Sequence, residues 1–468
     1  MNQNRSLKFP SFRRRRREES LTTSVIRSHT LIQILARVSL PRLLRLLKFV
    51  AITIATGILI LIVTTGCKRN EGRATQTPKP IAVAETTPAS PAPLPSLAPS
   101  TNTPLPPIAG PLNPLNPASR DYRLVRVFYA TDRNLVRGRN PLEIYKGGRG
   151  DVTYGACLAS IPHPHENKTG KPESPAFLKV DLPPAFLKVQ YQYQFRADPA
   201  THVVLMDVRQ MTESNYFDAL RFRIHESASK SAFLFVHGYN VTFEDAARRT
   251  AEISYELSFD GAPVFFSWPS QGTLVGYPTD EANVEWSEID LEQFLEDFAA
   301  GSDAQNIYLI GHSMGNRALT LAFAALLRLK PDVRARFKQL ILTAPDIDAD
   351  VFRREIAPLI LSTNNCPLVT LYASSTDQAL KLSKQFHSCQ RLGDTDPSPI
   401  VLPNMDTIDV SAVDSSFTYL GHSYAFIEPS VLSDIFNLIR NSAPLSQKPR
   451  FKLTQVGVPP DQYWQYRP

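Results

Sequence analysis

Asn306-Ile-Tyr-Leu-Ile-Gly-His-Ser-Met-Gly-Asn-Arg-Ala-Leu319 decides how the rest of the chain is read. An apolar run of strand length, Ile307–Ile310, leads into Gly311-His312-Ser313-Met314-Gly315. From Met314 to Leu329 the residues are almost wholly apolar or small, as in a buried helix. A serine between two glycines, set between a buried strand and a buried helix, is the pattern of a sharp strand-to-helix turn that exposes a hydroxyl. The glycines remove side chains where that turn crowds, and the helix N-terminus behind Ser313 favours negative charge.

Apolar runs of strand length recur on both sides of this stretch. They are Leu124–Ala130, Val152–Ile161, Val203–Val208, Ala232–Val236, Pro263–Ser267, Leu340–Thr343, Leu368–Ala373 and Ile408–Val410. From Ala232 onward they are short and do not alternate with polar residues, which is expected of strands covered on both faces. Helical patterns fall between them. One starts at the capping-box-like Thr242-Phe-Glu-Asp245 and reaches about Leu257, another spans Ile289–Ala300, and a last one runs from Ser430 to Arg440. The alternation predicts an α/β fold with a mostly parallel central sheet and helices on both faces, and the earlier, more polar strands as an antiparallel edge.

A serine hydroxyl needs a base and an acid to act as a nucleophile. His422, in Leu420-Gly-His-Ser-Tyr424, follows the last predicted strand and is the candidate base; His387 is the other late histidine and stands in a less suitable context. Asp377, in Ala373-Ser-Ser-Thr-Asp377, follows the strand Leu368–Ala373 and is the favoured acid, with Asp346 and Asp348 as rivals after the preceding strand. Each aspartate also suits a helix N-cap. Backbone donors for an oxyanion are expected from Met314 and, in the loop His237-Gly-Tyr-Asn240, from Tyr239 ahead of Asn240. His237 is assigned a bracing role beneath that loop. Trp268, Trp286 and Tyr277 suit core packing better than a cleft lining. No metal-ligand spacing appears, so neither metal nor cofactor is expected.

The ends of the chain read differently. The net charge of +7 concentrates in residues 1–48, which include the run Arg13–Arg17. With no zinc-knuckle or ribonucleoprotein pattern, nucleic acid is not an expected partner. Residues 49–67 hold the uncharged run FVAITIATGILILIVTTG followed by Cys67. This is long enough to cross a ~30 Å hydrocarbon core. It is also similar to a bacterial lipoprotein signal, although Thr64 departs from the aliphatic residue that pattern prefers. Both readings place the chain beyond Cys67 outside the cytoplasm. Residues 68–120 carry much of the excess of proline, 39 against 20 glycines, and read as a disordered, polyproline-rich tether. Residues 121–445 form the expected catalytic domain and 446–468 a C-terminal tail. Cys366 and Cys389 suit either a disulfide or two free thiols.

The stretches FVHGYNVTFEDAARRTAEISYELSFDGAPVFFSWPSQG, GHSMGNRAL, VFYATDRN and LYASSTDQALKLS together resemble a bacterial alpha/beta-hydrolase family of unknown function, DUF900, over about residues 121 to 442. The resemblance implies the α/β-hydrolase fold and a hydrolase activity, with no established substrate. Joined to the motifs, it makes the expected protein a membrane-anchored serine hydrolase of the bacterial envelope. The expected substrate is a small-molecule or lipid ester. A non-catalytic envelope scaffold, or an acyltransferase or thioesterase with the same triad, is the alternative.

Overall fold

The computed structural model describes residues 122–136, 144–162, 198–200, 202–361, 367–413, 422, 426, 428–441 and 452–467. All of them belong to one unit, Thr103–Pro468. The expected membrane segment or lipoprotein signal at 49–67, the basic segment before it and the whole proline-rich stretch at 68–120 lie outside the described residues. Among the described residues, no helix is long and apolar enough to cross a membrane.

The strands are β1 (Tyr122–Leu135), β2 (Tyr145–Pro162), β3 (Val204–Met211), β4 (Ser231–Val236), β5 (Gly261–Ser267), β6 (Asn306–His312), β7 (Phe337–Thr343), β8 (Leu368–Ala373), β9 (Met405–Asp409), β10 (Leu453–Val456) and β11 (Tyr463–Tyr466). They form one sheet in the order β10-β11-β9-β8-β7-β6-β4-β5-β1-β2-β3. From β11 to β1 the neighbouring strands are parallel. At one edge β2 and β3 add antiparallel, as the polar early strands predict. At the other edge, the segment expected as a tail supplies β10 and β11, and β11 joins β9 in parallel.

The longer helices are α1 (Glu213–Glu226), α2 (Phe243–Glu256), α3 (Tyr277–Trp286), α4 (Glu288–Gly301), α5 (Gly315–Leu329), α6 (Gln378–His387) and α7 (Pro429–Asn441). They cover both faces because the buried strands are apolar on both. Along β4, Ala232, Leu234 and Val236 pack with α1, α4 and α5, whereas Phe233 and Phe235 pack with α2 and α7. That two-residue alternation divides the core into two apolar layers around the sheet. Among the described residues, Cys157 and Cys389 are free thiols. Cys366 lies outside the described residues.

The chain runs from β4 to β5 on one side and then crosses to β6 on the other. Loops leaving the C-terminal ends of β4 and β6 therefore diverge and open a crevice, the usual place for a ligand in a parallel sheet.

Candidate active site

Ser313 stands at the C-terminal end of β6 with φ +53° and is 5 % exposed. A non-glycine residue in this left-handed region is strained and must be held from outside. Here Ser313 N–H donates to Thr343 O at 3.0 Å, while its carbonyl accepts from Asn316 N–H (3.1 Å) and Asp346 N–H (3.2 Å). Asn316 Nδ2 donates to both Ser313 O (3.1 Å) and Thr343 O (3.2 Å). The expected glycine roles are matched by two close approaches. A Cβ on Gly311 would meet Asn316 Oδ1 at 2.0 Å, and one on Gly315 would meet His237 O at 2.1 Å.

Asp377 is fully buried and divides its carboxylate between two tasks. Oδ1 accepts from Ala379 N–H (3.0 Å) and Leu380 N–H (3.1 Å), capping α6. Oδ2 accepts from His422 Nδ1–H at 2.7 Å. One carboxylate thus both caps α6 and bonds the His422 ring. Burial works to lower the His422 pKa, but the Asp377 charge and hydrogen bond outweigh it and raise the imidazole above its ordinary value. With the proton on Nδ1, Nε2 keeps its lone pair.

The structure brings His422 and the serine turn to the same end of the sheet. His312, immediately before Ser313, has its ring 4.9 Å from that of His422, and its Nε2–H donates to His422 O at 3.2 Å. Burial, and then the neighbouring His422, push the His312 pKa well down, so it stays a neutral donor. Phe426 closes over His312 with ring centroids 5.5 Å apart. Sequence reasoning passed over His312, although its place inside the motif was the available signal.

Asp346 and Asp348, the rival acids, have other partners. Asp346 Oδ1 accepts from Arg391 Nε–H (2.7 Å) and the Ser383 hydroxyl, and Oδ2 from Arg317 Nη2–H (2.9 Å) and the Tyr277 hydroxyl (2.7 Å). All four lone-pair positions are filled. Burial alone would raise its pKa, but Arg317 and Arg391 hold the carboxyl far below the usual range. Asp348 caps a short helix, accepting from Asp350 and Val351 N–H. His387 is tied to Glu281 through Nε2 at 2.7 Å and to Ser383 O through Nδ1 at 2.8 Å. Tyr277, expected mainly as packing, belongs to this polar hub, which reaches the serine turn through the Asp346 N–H.

The loop after β4 faces the serine so closely that a Cβ on Gly238 would come within 2.7 Å of Ser313 Cβ. Met314, the first expected oxyanion donor, opens α5. Tyr239, the second, lies between Gly238 and Asn240, whose N–H is already given to Asp280 Oδ2 at 3.2 Å. His237 braces this loop as expected. Its ring stacks on Trp268 at 5.1 Å, Nδ1–H donates to Gly238 O (2.9 Å), and its carbonyl accepts the Trp268 indole N–H (2.7 Å). Burial, and then Arg133, bring its pKa down to about 3, which keeps the ring neutral. Arg133, 2 % exposed, donates to Ser267 Oγ, Ser270 O and Val241 O, and so ties β1 to the bed of the loop. Among the described residues no cluster suited to a metal ion occurs.

The chain is similar to a predicted CIB-like hydrolase from Thermoplasma acidophilum, at 14% identity over 51% of this chain and 93% of that one, with a TM-score of 0.26. It is also similar to an esterase from Pyrobaculum calidifontis, at 12% identity over 45% and 76% of the two chains, with a TM-score of 0.25. Likenesses this weak carry no argument. No protein of curated function matches the chain. A family match begins at residue 212 and not near 121, which leaves β1 to β3 ahead of it. Residues 212–441 of the chain match the family described as alpha/beta hydrolase of unknown function, DUF900, the family that the quoted motifs resemble.

Proposed function

We propose that this protein is a membrane-tethered serine hydrolase of the bacterial envelope that cleaves carboxylic esters through an acyl-Ser313 intermediate. The single observation that carries the reading is the 2.7 Å hydrogen bond from His422 to buried Asp377, beside a serine held at φ +53°. In this reading His422 Nε2 takes the Ser313 proton as Oγ attacks the ester carbonyl. The oxyanion receives hydrogen bonds from the Met314 and Tyr239 N–H groups. Collapse expels the alcohol, which takes the proton from His422, and a water then repeats the sequence to release the acid. Asp377 keeps the Nδ1–H tautomer and stabilises the imidazolium.

The test is labelling of the full-length chain with a fluorophosphonate, followed by hydrolysis of p-nitrophenyl esters of increasing chain length. Ser313→Ala should abolish both without changing the circular dichroism; equal labelling of wild type and variant would refute Ser313 as nucleophile. A scaffold without activity would show no labelling in either. The raised His422 pKa adds a sign. The base must be neutral, so the acid limb of kcat/KM should lie above the ~6.5 of a free imidazole. A limb at or below that value would contradict the role given to Asp377.

The tether rests on the run FVAITIATGILILIVTTG and the basic residues before it. Fractionation of the full-length chain should find it in the membrane. Incorporation of a fatty-acid label that is lost in Cys67→Ser would mark Cys67 as lipidated, and retention in the membrane without any label would mark an uncleaved helix.

A further inference from the structure

Away from the serine turn, a cavity of about 610 Å³ opens at the other end of the sheet. It lies where β1 and β5 begin and where α1 and α2 end, and its walls include Arg123, Arg126, Arg223, Tyr255, Glu226 and Asp260. Gly261, at the start of β5, lines it, whereas Ser267, at the far end of the same strand, bonds the bed of the oxyanion loop. Seven residues of strand separate the two regions by about 20 Å.

Arg223 comes from the last turn of α1 and is 4 % exposed. Its Nε and Nη1 have no hydrogen-bond partner, and Arg123 Nε, also buried, has none either. Asp260 Oδ1 lies 3.8 Å from Arg223 Nη2, beyond hydrogen-bond distance. Asp260 is also committed elsewhere: its Oδ2 accepts the N–H groups of Ala228 (2.9 Å) and Ser229 (3.4 Å). Arg123 lies over the Tyr255 ring at 5.6 Å. Burial, against the pull of Asp260 and Glu226, brings the Arg223 pKa down to about 10, and burial followed by Arg209 lowers that of Arg126.

Buried cationic donors without acceptors are rare in folded proteins and mark a missing water, ion or ligand. Three guanidinium groups here face two carboxylates, one of them already occupied. Guanidinium forks match the paired oxygens of a phosphate better than any neutral group. The volume exceeds that of inorganic phosphate and suits a small organic molecule. We infer that this cavity binds a phosphate group carried on a larger molecule, through Arg223, Arg123 and Arg126, at a site separate from Ser313.

The phosphate can come from a soluble phosphomonoester or from a phospholipid headgroup, and the experiment distinguishes them. Full-length protein in detergent is titrated with inorganic phosphate and with glycerol 3-phosphate by calorimetry. Its melting temperature is compared in vesicles of phosphatidylglycerol and of phosphatidylcholine. Replacing Arg223 endangers the fold, so the comparison variant is Arg123→Gln with Arg126→Gln, whose side chains are only partly buried. Binding of glycerol 3-phosphate, weakened at least about tenfold in the double variant and unchanged in Ser313→Ala, supports a soluble ligand. Stabilisation of wild type over the double variant in phosphatidylglycerol alone supports a headgroup. Absence of both effects, or equal behaviour of wild type and double variant, overturns the site.

Discussion

Asp132 shows what burial does to a single carboxyl that lacks a partner. It sits on β1 with neither oxygen hydrogen-bonded, and burial raises its pKa to about 7, an effect that the nearby Ser287 hydroxyl only partly offsets. The folded protein therefore retains a proton that the unfolded chain releases above about 4. Stability should fall as pH rises from about 4 to 7 and level off beyond. Asp132→Asn should flatten this slope and raise the melting temperature at pH 8, by up to roughly 4 kcal/mol in stability. A variant with the same slope as wild type would place the titration elsewhere. Residue chemistry was only partly legible from sequence. Ser313 was visible because its glycines and apolar flanks are adjacent to it. What sequence did not show is that Arg317 and Arg391 engage Asp346, and the latter lies 45 residues beyond Asp346 with no local mark of the pairing.

Elements with strong local signals were read closely. The capping box at α2 forms as written, with Asp245 N–H donating to Thr242 Oγ1 at 3.2 Å and Asp245 Oδ2 accepting from Thr242 N–H at 3.2 Å. Thr242→Ala should lower stability by about 1 kcal/mol, measured by urea denaturation with an unchanged m-value. A loss below about 0.3 kcal/mol would mean that tertiary packing alone holds this helix start. α1, α3 and α6 escaped notice. The α3 sequence, YPTDEANVEW, is mostly polar, and it is helical because Asp280 and Asn283 turn inward, to Ser270 and Gln271 and to Pro269 O respectively. Such contacts leave no period in the sequence. The irregular helical run from Ala349 to Ile360 was likewise invisible.

At the scale of the whole molecule, the parallel sheet and its two apolar layers were legible because central strands must be apolar on both faces. The far edge was not. β10 and β11 have four residues each, and β11 joins the sheet by pairing with β9, more than fifty residues earlier. Trp464 and Tyr466 are buried in the same layer as Ile408 and α7. Ending the chain at residue 445 should therefore expose that layer and lower the melting temperature by several degrees, on the order of 2–4 kcal/mol of lost burial. An unchanged melting temperature would mean that the two strands add nothing to the fold. The double duty of the carboxylate at 377 reaches further than this one chain. Under the proposed function, a descendant without the Ser313 hydroxyl would still keep an aspartate there to start the helix, so its persistence says nothing about chemistry. Among the described residues the imidazole at 422 caps no helix, so under the proposed function its loss or survival is the sign by which working and retired copies of this protein can be told apart.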